Sequence, residues 1–329
     1  MSNTLTVTLE PSGHQLAVLP GERILDAARR LGFEVPHSCR NGNCEICAAL
    51  LLEGQVRYQG AVISQGEVMT CLCEPLTDCR LHWDKILAPG ELPVHSLSCQ
   101  VVALEDLGAG VTRVQLRAPA GKKLRYHAGQ YLLLEKPDGE QAAFSIASAP
   151  HQGRELELHI QVRDSASQHM LDHLKSQPLV KVQLPFGDCH LAELPAAPLV
   201  LIAAGTGMAQ MHSLIEHCRA QGFAHPVHLY WGARRPEDFY HLAALADWHN
   251  VANLNVHLVV SDAQPEDNWQ GRQGLLFEAV CADFSDLSAV QVYASGSPPM
   301  VYATLDGLVA AGLSPAQMRA DVFAYAPRD

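Results

Sequence analysis

The spacing of hydrophobic and polar positions changes character twice along this chain. Residues 3–9, NTLTVTL, alternate apolar with polar, the period of a half-buried strand, and Gln15–Val18 repeats the alternation more weakly. In ERILDAARRLG, Ile24, Leu25, Ala28 and Leu31 fall on one helical face and Gly32 closes the helix. A cysteine-rich loop follows, then a mostly β stretch to about Leu87, and APGELP at 88–93 reads as a linker. Residues 96–187 hold the short alternating segments SCQVVALE, TRVQLRA, YLLLEK, ELELHIQV and VKVQLPF, separated by turn signals. That pattern predicts a small antiparallel barrel or sandwich, interrupted by one helical stretch, SQHMLDHLKS. From Pro198 the strands LVLIAA, VHLYWG, NVHLVVS and VQVYAS alternate with helices after GTGMAQ, over FYHLAALADW, near 275–282 and over PMVYATLDGLVAAG. Strands alternating with helices predict a parallel α/β sheet.

A length of 329 residues, 48% of them apolar, is enough for two or three domains with cores of their own. The N-terminus lacks a charged start followed by an apolar run, and no stretch reaches the ~18 consecutive apolar residues of a membrane span. The expected location is therefore the cytoplasm. A net charge of −12 argues against nucleic acid and against an anionic membrane surface as partners. Residues 1–90 carry ten acidic and seven basic residues, so most of the negative charge lies further on.

The chain has ten cysteines, and in a reducing compartment a cluster of them points to metal or catalysis rather than disulfides. CRNGNCEIC spaces Cys39, Cys44 and Cys47 as C-x4-C-x2-C, the plant-type [2Fe–2S] spacing, which requires a fourth thiolate from Cys71, Cys73 or Cys79. Zinc knuckles use paired C-x2-C units, and the x4 spacing fits them poorly. Gly42 gives the loop the dihedrals needed to aim backbone amides at sulfur, and Ser38 offers a hydroxyl. The stretch GERILDAARRLGFEVPHSCRNGNCEIC resembles a plant-type ferredoxin domain, which implies a β-grasp fold. In that family the last ligand follows a strand-like run, and VMTCLCEP matches it with Cys71 before Glu74-Pro75. The interval of 23 residues between Cys47 and Cys71 reads as a trimmed surface loop.

HAGQYLLLEKPDGEQAAFSIASAP, residues 127–150, resembles the flavin-binding barrel of the ferredoxin–NAD(P)H reductase superfamily. The resemblance implies FAD lined by Tyr131, Ala143, Phe144, Ser145 and Ile146, with Ser145 bonded to the hydride-accepting nitrogen. It also implies backbone contacts from His159, Ile160 and Val162. Where the family carries an arginine for the flavin phosphate, this chain has Ala142, which leaves FAD, FMN and loosely held flavin all open. Arg163, Ser165, Ser167 and His169 are the candidates to compensate.

LVLIAAGTGMAQMHSLI is a strand, a glycine turn and a helix, and a helix N-terminus suits a pyrophosphate. By resemblance, Gly205, Thr206, Gly207 and Met208 take the nucleotide phosphates, while Gly232 and Arg234 of YWGARR meet the adenosine side. VYASGSPPM resembles the family's Cys-Gly-Pro motif, which implies that Ser295, Gly296 and Met300 lie beside the nicotinamide, with Ser295 in place of the family's cysteine. A terminal aromatic near the flavin is expected, Tyr325 ahead of Phe323. Glu237 and Asp238 beside the arginines favour NADH over NADPH.

The resulting expectation is a multidomain α+β and α/β protein. Its parts are a β-grasp ferredoxin domain at 1–90, an antiparallel β-barrel flavin domain at 96–193, and a Rossmann-like nucleotide domain at 196–329. This order resembles the reductase components of oxygenases and CDP-6-deoxy-glucoseen reductase, and the last two domains also resemble bacterial flavin reductases. It implies electron flow from NADH through flavin and a [2Fe–2S] cluster to a partner oxygenase or dehydratase-type protein. A flavin reductase releasing reduced free flavin and a non-enzymatic iron–sulfur redox sensor are the alternatives.

Overall fold

The computed structural model describes residues 4–84, 86–122, 124–241 and 243–328. It divides into two compact units, Met1–Pro93 and Val94–Asp329.

In the first unit, β1 (Leu5–Glu10) and β2 (Gln15–Val18) form a hairpin, followed by α1 (Ile24–Arg30). Next come β3 (Ala48–Glu53), β4 (Val56–Tyr58), β5 (Ala61–Ile63), β6 (Gly66–Met69), β7 (Cys73–Pro75) and β8 (Cys79–His82). A five-stranded sheet runs β2-β1-β8-β3-β6, and β5-β4-β7 make a small second sheet. The alternation expected over 3–9 is met from Leu5, while Asn3 lies outside the described residues. Its inward positions Val7 and Leu9 join Leu16, Ile24, Leu25, Leu51 and Leu81 in one core against α1. The pairing of β3 with β6 sets Ala48 opposite Met69. That register brings Cys47 next to Thr70, whose N–H and hydroxyl both donate to the Cys47 carbonyl, at 3.1 and 2.9 Å.

The second unit opens with a six-stranded antiparallel sheet. Its strands are β9 (His95–Asp106), β10 (Val111–Arg117), β11 (Tyr131–Glu135), β12 (Gln141–Ser145), β13 (Glu155–Gln161) and β14 (Leu179–Phe186), in the order β12-β11-β14-β9-β10-β13. The end strands meet where the Ala147 N–H donates to the Glu157 carbonyl at 2.7 Å, which curls the sheet toward a barrel and covers edges that would otherwise be open. Helix α2 (Ser165–Ser176) packs Met170, Leu171 and Leu174 into the barrel core.

The rest of this unit is a parallel sheet of β15 (Leu199–Ala204), β16 (Val227–Ala233), β17 (Leu254–Val260), β18 (Arg272–Gln273), β19 (Gln291–Ser295) and β20 (Met318–Arg319). The order is β18-β17-β16-β15-β19-β20, so the winding reverses between β15 and β19. Helices α3 (Met208–Ala220), α4 (Ala244–Trp248), α5 (Leu276–Asp283), α6 (Pro298–Ala310) and α7 (Val322–Tyr325) complete it. Two separate clusters, one around Leu201 and Trp231 and one around Ile202 and Val292, lie on opposite faces of the sheet. β15 is buried nearly throughout, as a parallel strand covered on both faces must be. The helix expected over FYHLAALADW is shorter than its sequence suggests, with the α-helix confined to Ala244–Trp248. Tyr240 is instead drawn into the core and to a histidine of the barrel, and Leu242 lies outside the described residues.

Candidate cluster and flavin–nucleotide sites

The loop between α1 and β3 is shaped by left-handed backbone. Arg40, Gly42 and Glu45 all have positive φ, at 57°, 85° and 56°. Glycine accepts this conformation freely, whereas Arg40 and Glu45 adopt it at a cost that the surroundings must hold in place. An ion pair from Arg40 to Asp26 of α1 ties the loop down. Alternating handedness turns successive amides inward, a concavity suited to an anion. The amides of Asn41, Cys44 and Asn43 indeed face Cys39, with the Cys44 N–H donating to its Sγ at 3.4 Å. Those amides, Asn41 foremost, together with the Cys44 thiol, pull the Cys39 thiol down to about 6.

The four predicted ligands approach one another as two pairs. Cys39 interacts with Cys44, and Cys71 with Cys47, while the Gly42 amide reaches across the loop to Cys71. No three His, Cys, Asp or Glu side chains among the described residues converge as they would on one ion. Two pairs are what a two-iron, two-sulfide cluster takes, with two thiolates on each iron. Burial pushes the Cys71 thiol up to about 11 and the Cys73 thiol up to about 12. Cys73 is fully buried, and Cys79 turns its Sγ to the Thr77 carbonyl at 3.1 Å.

In the second unit, a cleft of about 1080 Å³ opens at the carboxyl ends of β15 and β19, the point where the winding reverses. Ligands of open α/β sheets bind at such points. One wall is the barrel edge, Ala143, Phe144, Ser145 and His159. The opposite wall is the Gly205–Gly207 turn with Gly232 and Arg234, and the Ser295–Met300 turn with Tyr325 closes the end. A smaller pocket of about 410 Å³ adds Tyr131, Gln210 and Asp321 around Ser145 and Ser295. Both volumes suit nucleotide-sized ligands. Tyr325 is 65% exposed and lines both spaces, whereas Phe323 packs against Tyr302.

Four predicted residues do not present side chains to the cleft. Ile146 and Ile160 lie in the barrel core, and Met208, at the start of α3, lies in the core beneath the parallel sheet. Val162 is exposed and donates its N–H to the Gly110 carbonyl at 2.9 Å. Any contact from Ile146, Ile160 or Met208 to a cofactor therefore comes from backbone.

Two residues of the cleft, Gln210 and Asp321, were not foreseen, and two that were, His159 and Arg163, gain defined partners. Gln210 on α3 donates to the Gly129 carbonyl (2.6 Å), the Cys189 carbonyl (3.1 Å) and the Asp321 carboxylate (2.9 Å). Asp321 also accepts the N–H groups of Asp188 and Cys189, and burial raises its pKa. This knot fixes the barrel against the parallel sheet beside Ser145 and Ser295. His159 is buried, bonded to Tyr240 and Glu157 at 2.9 Å each, and burial lowers its pKa. Arg163 stands at the cleft edge with its Nη2 3.4 Å from the Thr206 hydroxyl. Gln210 and Asp321 gave no signal in sequence, since isolated polar residues acquire meaning only when folding buries them together.

Comparison with known proteins agrees with this architecture. Residues 7–76 match the family described as the 2Fe-2S iron-sulfur cluster binding domain, and residues 201–306 match the oxidoreductase NAD-binding domain. The chain is 30% identical over 318 residues to reductase component 2 of terephthalate 1,2-dioxygenase from Comamonas sp, with 94% of each chain covered. It is 29% identical over 328 residues to the CDP-6-deoxy-L-threo-D-glycero-4-hexulose-3-dehydrase reductase of Yersinia pestis, covering 97% of this chain and 98% of that one. The crystal structure of the Amycolatopsis cytochrome P450 reductase GcoB superposes with a TM-score of 0.67 at 26% identity, covering 97% of this chain and 98% of that one. No helix among the described residues is long and apolar enough to cross a membrane. With a ferredoxin-type loop, a barrel-edged cleft and a nucleotide turn in one chain, the protein belongs to the family of NAD(P)H-dependent iron–sulfur flavoprotein reductase components, with a [2Fe–2S] cluster, a flavin and a nicotinamide nucleotide as its cofactors.

Proposed function

We propose that this chain takes electrons from NADH, passes them through its flavin to its [2Fe–2S] cluster, and delivers them in the cytoplasm to a separate oxygenase or dehydrase-type protein. The observation that carries the reading is the shared cleft: barrel residues Phe144 and Ser145, the Gly205–Gly207 turn and Ser295 all line one space. When bound, the flavin supplies the conversion of a hydride pair into single electrons, which a one-electron cluster requires.

The chain's own residues supply binding and position. Phe144, Tyr131 and Tyr325 offer aromatic surface for the flavin ring, and Ser145 offers a hydroxyl at its reactive edge. Gly207 lets the start of α3 approach the dinucleotide phosphates, while Gly232 and Arg234 face the adenosine. Ser295, Gly296 and Met300 bracket the nicotinamide, and hydride transfer there depends on alignment more than on a thiol. Cys39 with Cys44 and Cys47 with Cys71 hold the two irons. Functional modules at 1–90, 96–193 and 196–329 divide this work.

NADH is the preferred donor. The Arg235 fork is taken up by Asp267, with Nε 2.8 Å from its carboxylate, and Arg234 lies 3.4 Å from Asp262. Neither cation is left uncompensated for a 2′-phosphate. Ala142 favours a second reading, in which flavin is held loosely and released reduced.

Anaerobic purification without added flavin, followed by flavin and iron assays and NADH titration, tests both. Bound flavin, with flavin and cluster bleaching at a few equivalents, supports the relay. A flavin-free protein whose cluster bleaches only after flavin is added refutes it in favour of the second reading.

A further inference from the structure

A flavin mononucleotide or dinucleotide brings one or two phosphates, and a cleft that holds it firmly needs a cation facing them. Strand β12 offers none, because Ala142 occupies the place between Gln141 and Ala143. Two arginines line the cleft, Arg163 and Arg234. Arg234 sits on the nucleotide wall and already pairs with Asp262. Arg163 follows the end of β13, on the barrel side. Among the described residues no carboxylate lies within ion-pair distance of it. Its side-chain hydrogen-bond partners are neutral: Nε donates to the Gln161 side-chain oxygen at 2.9 Å and Nη2 to the Thr206 hydroxyl at 3.4 Å, while the adjacent Asp164 carboxylate senses its charge from beyond ion-pair distance.

The neighbouring candidates are excluded by their own bonds. Ser167 accepts the N–H groups of Arg163 and Asp164 at 2.9 and 3.1 Å, and its hydroxyl donates to Asp164. Asp164 caps α2 by accepting the Ser167 N–H at 2.8 Å, so a carboxylate occupies the helix end where a phosphate would bind. Ser165 and His169 are not among the cleft-lining residues. The same cap anchors the Arg163 backbone and, with Gln161, aims the guanidinium across the cleft.

We propose that Arg163 is the phosphate-gripping residue of the flavin site, replacing from the end of β13 the cation that β12 lacks. The proposal rests on the flavin reading above. Arg163 makes the chain discriminate flavins by their phosphates: FAD and FMN bind through the fork, and riboflavin does not engage it.

The test is equilibrium binding of FAD, FMN and riboflavin to the full chain stripped of flavin, followed by flavin fluorescence, for wild type, Arg163→Ala and Arg163→Lys. The expected result is that wild type holds FAD and FMN more tightly than riboflavin. Arg163→Ala then weakens FAD roughly ten- to hundredfold and leaves riboflavin unchanged. Arg163→Lys, keeping charge without the fork, falls between them and serves as the variant if the alanine protein does not fold. NAD⁺ binding, measured in parallel, separates the two dinucleotides. Weakened NAD⁺ binding with an unaltered flavin preference assigns Arg163 to the nicotinamide nucleotide and overturns the proposal. Equal wild-type affinity for FAD and riboflavin also overturns it and leaves the electron-transfer function standing. A wild-type protein that binds no flavin of any kind overturns the function itself.

Discussion

Gly207 stands where β15 turns into α3, and its backbone is ordinary helical, with φ −55° and ψ −18°. Alanine therefore fits the local conformation, and any effect of Gly207→Ala is steric. A Cβ there would lie 2.2 Å from the Ser295 carbonyl oxygen and 2.6 Å from its carbon. Non-bonded carbons settle at about 3.5–4.0 Å, so the two segments must part by roughly 1 Å. Rotamer changes cannot relieve the clash, because the obstructing atoms are backbone and Ser295 is paired with Ala203 in the sheet. Overpacking of this kind costs about 1–3 kcal/mol, and a rigid backbone partner puts this case near the upper end. The displaced residues border the nicotinamide end of the cleft, so the cost falls on the productive geometry. At about 1.4 kcal/mol per tenfold, kcat/KM for NADH should drop roughly 10- to 100-fold. The assay is anaerobic NADH oxidation with ferricyanide, alongside thermal melting, which should fall by several degrees, and iron content, which should be unchanged. Gly296→Ala is the comparison, since its Cβ would meet the flexible end of Met300 at 2.2 Å and Ala204 Cβ at 3.1 Å. It should lose less than about fivefold. A Gly207→Ala protein within twofold of wild type, or one milder than Gly296→Ala, would refute the reasoning.

Cys71→Ser should lose the cluster's iron and visible absorbance while keeping NADH–ferricyanide activity, whereas Cys73→Ser should retain iron; the reverse pattern would move the fourth ligand to Cys73. The second unit should lose stability in mild acid. Burial depresses His159, His190, His217, His228 and His257 below the ordinary value of 6.5, so the unfolded chain takes up protons there that the folded chain refuses. Stability is then fully present above about pH 6.5 and falls as pH drops through the interval below it, which Tm measured from pH 7.5 to 5.5 checks; a flat profile counts against it. Asp267→Asn keeps an acceptor for the Gln264 N–H, now 2.8 Å from the carboxylate, but leaves Arg235 only the longer contact to Glu266 at 3.9 Å. It should raise the NADPH-to-NADH ratio of kcat/KM severalfold, and an unchanged ratio would remove Asp267 from nucleotide selection.

The sequence by itself determined the chemistry that is local in the chain. Cys39, Cys44 and Cys47 sit in one loop, the GTG turn joins one strand to one helix, and the change from two-residue alternation to strand–helix alternation is written in consecutive residues. Such features depend on spacing alone. What only the tertiary structure decided depends on registers and on surfaces brought together from distant segments. The β3–β6 pairing sets Cys71 beside Cys47 across 23 intervening residues. The left-handed Arg40 and Glu45 are held by the packed loop and have no composition signal, unlike Gly42. Gln210 and Asp321 meet over 111 positions, and Arg163 faces the cleft with no direct carboxylate bond among the described residues because its neighbours Ser167 and Asp164 spend their bonds on capping α2. The FYHLAALADW segment shows the limit from the other side. Its periodicity is helical, yet burying Tyr240 and bonding it to His159 outweighs propensity, which is a weak prior against tertiary packing.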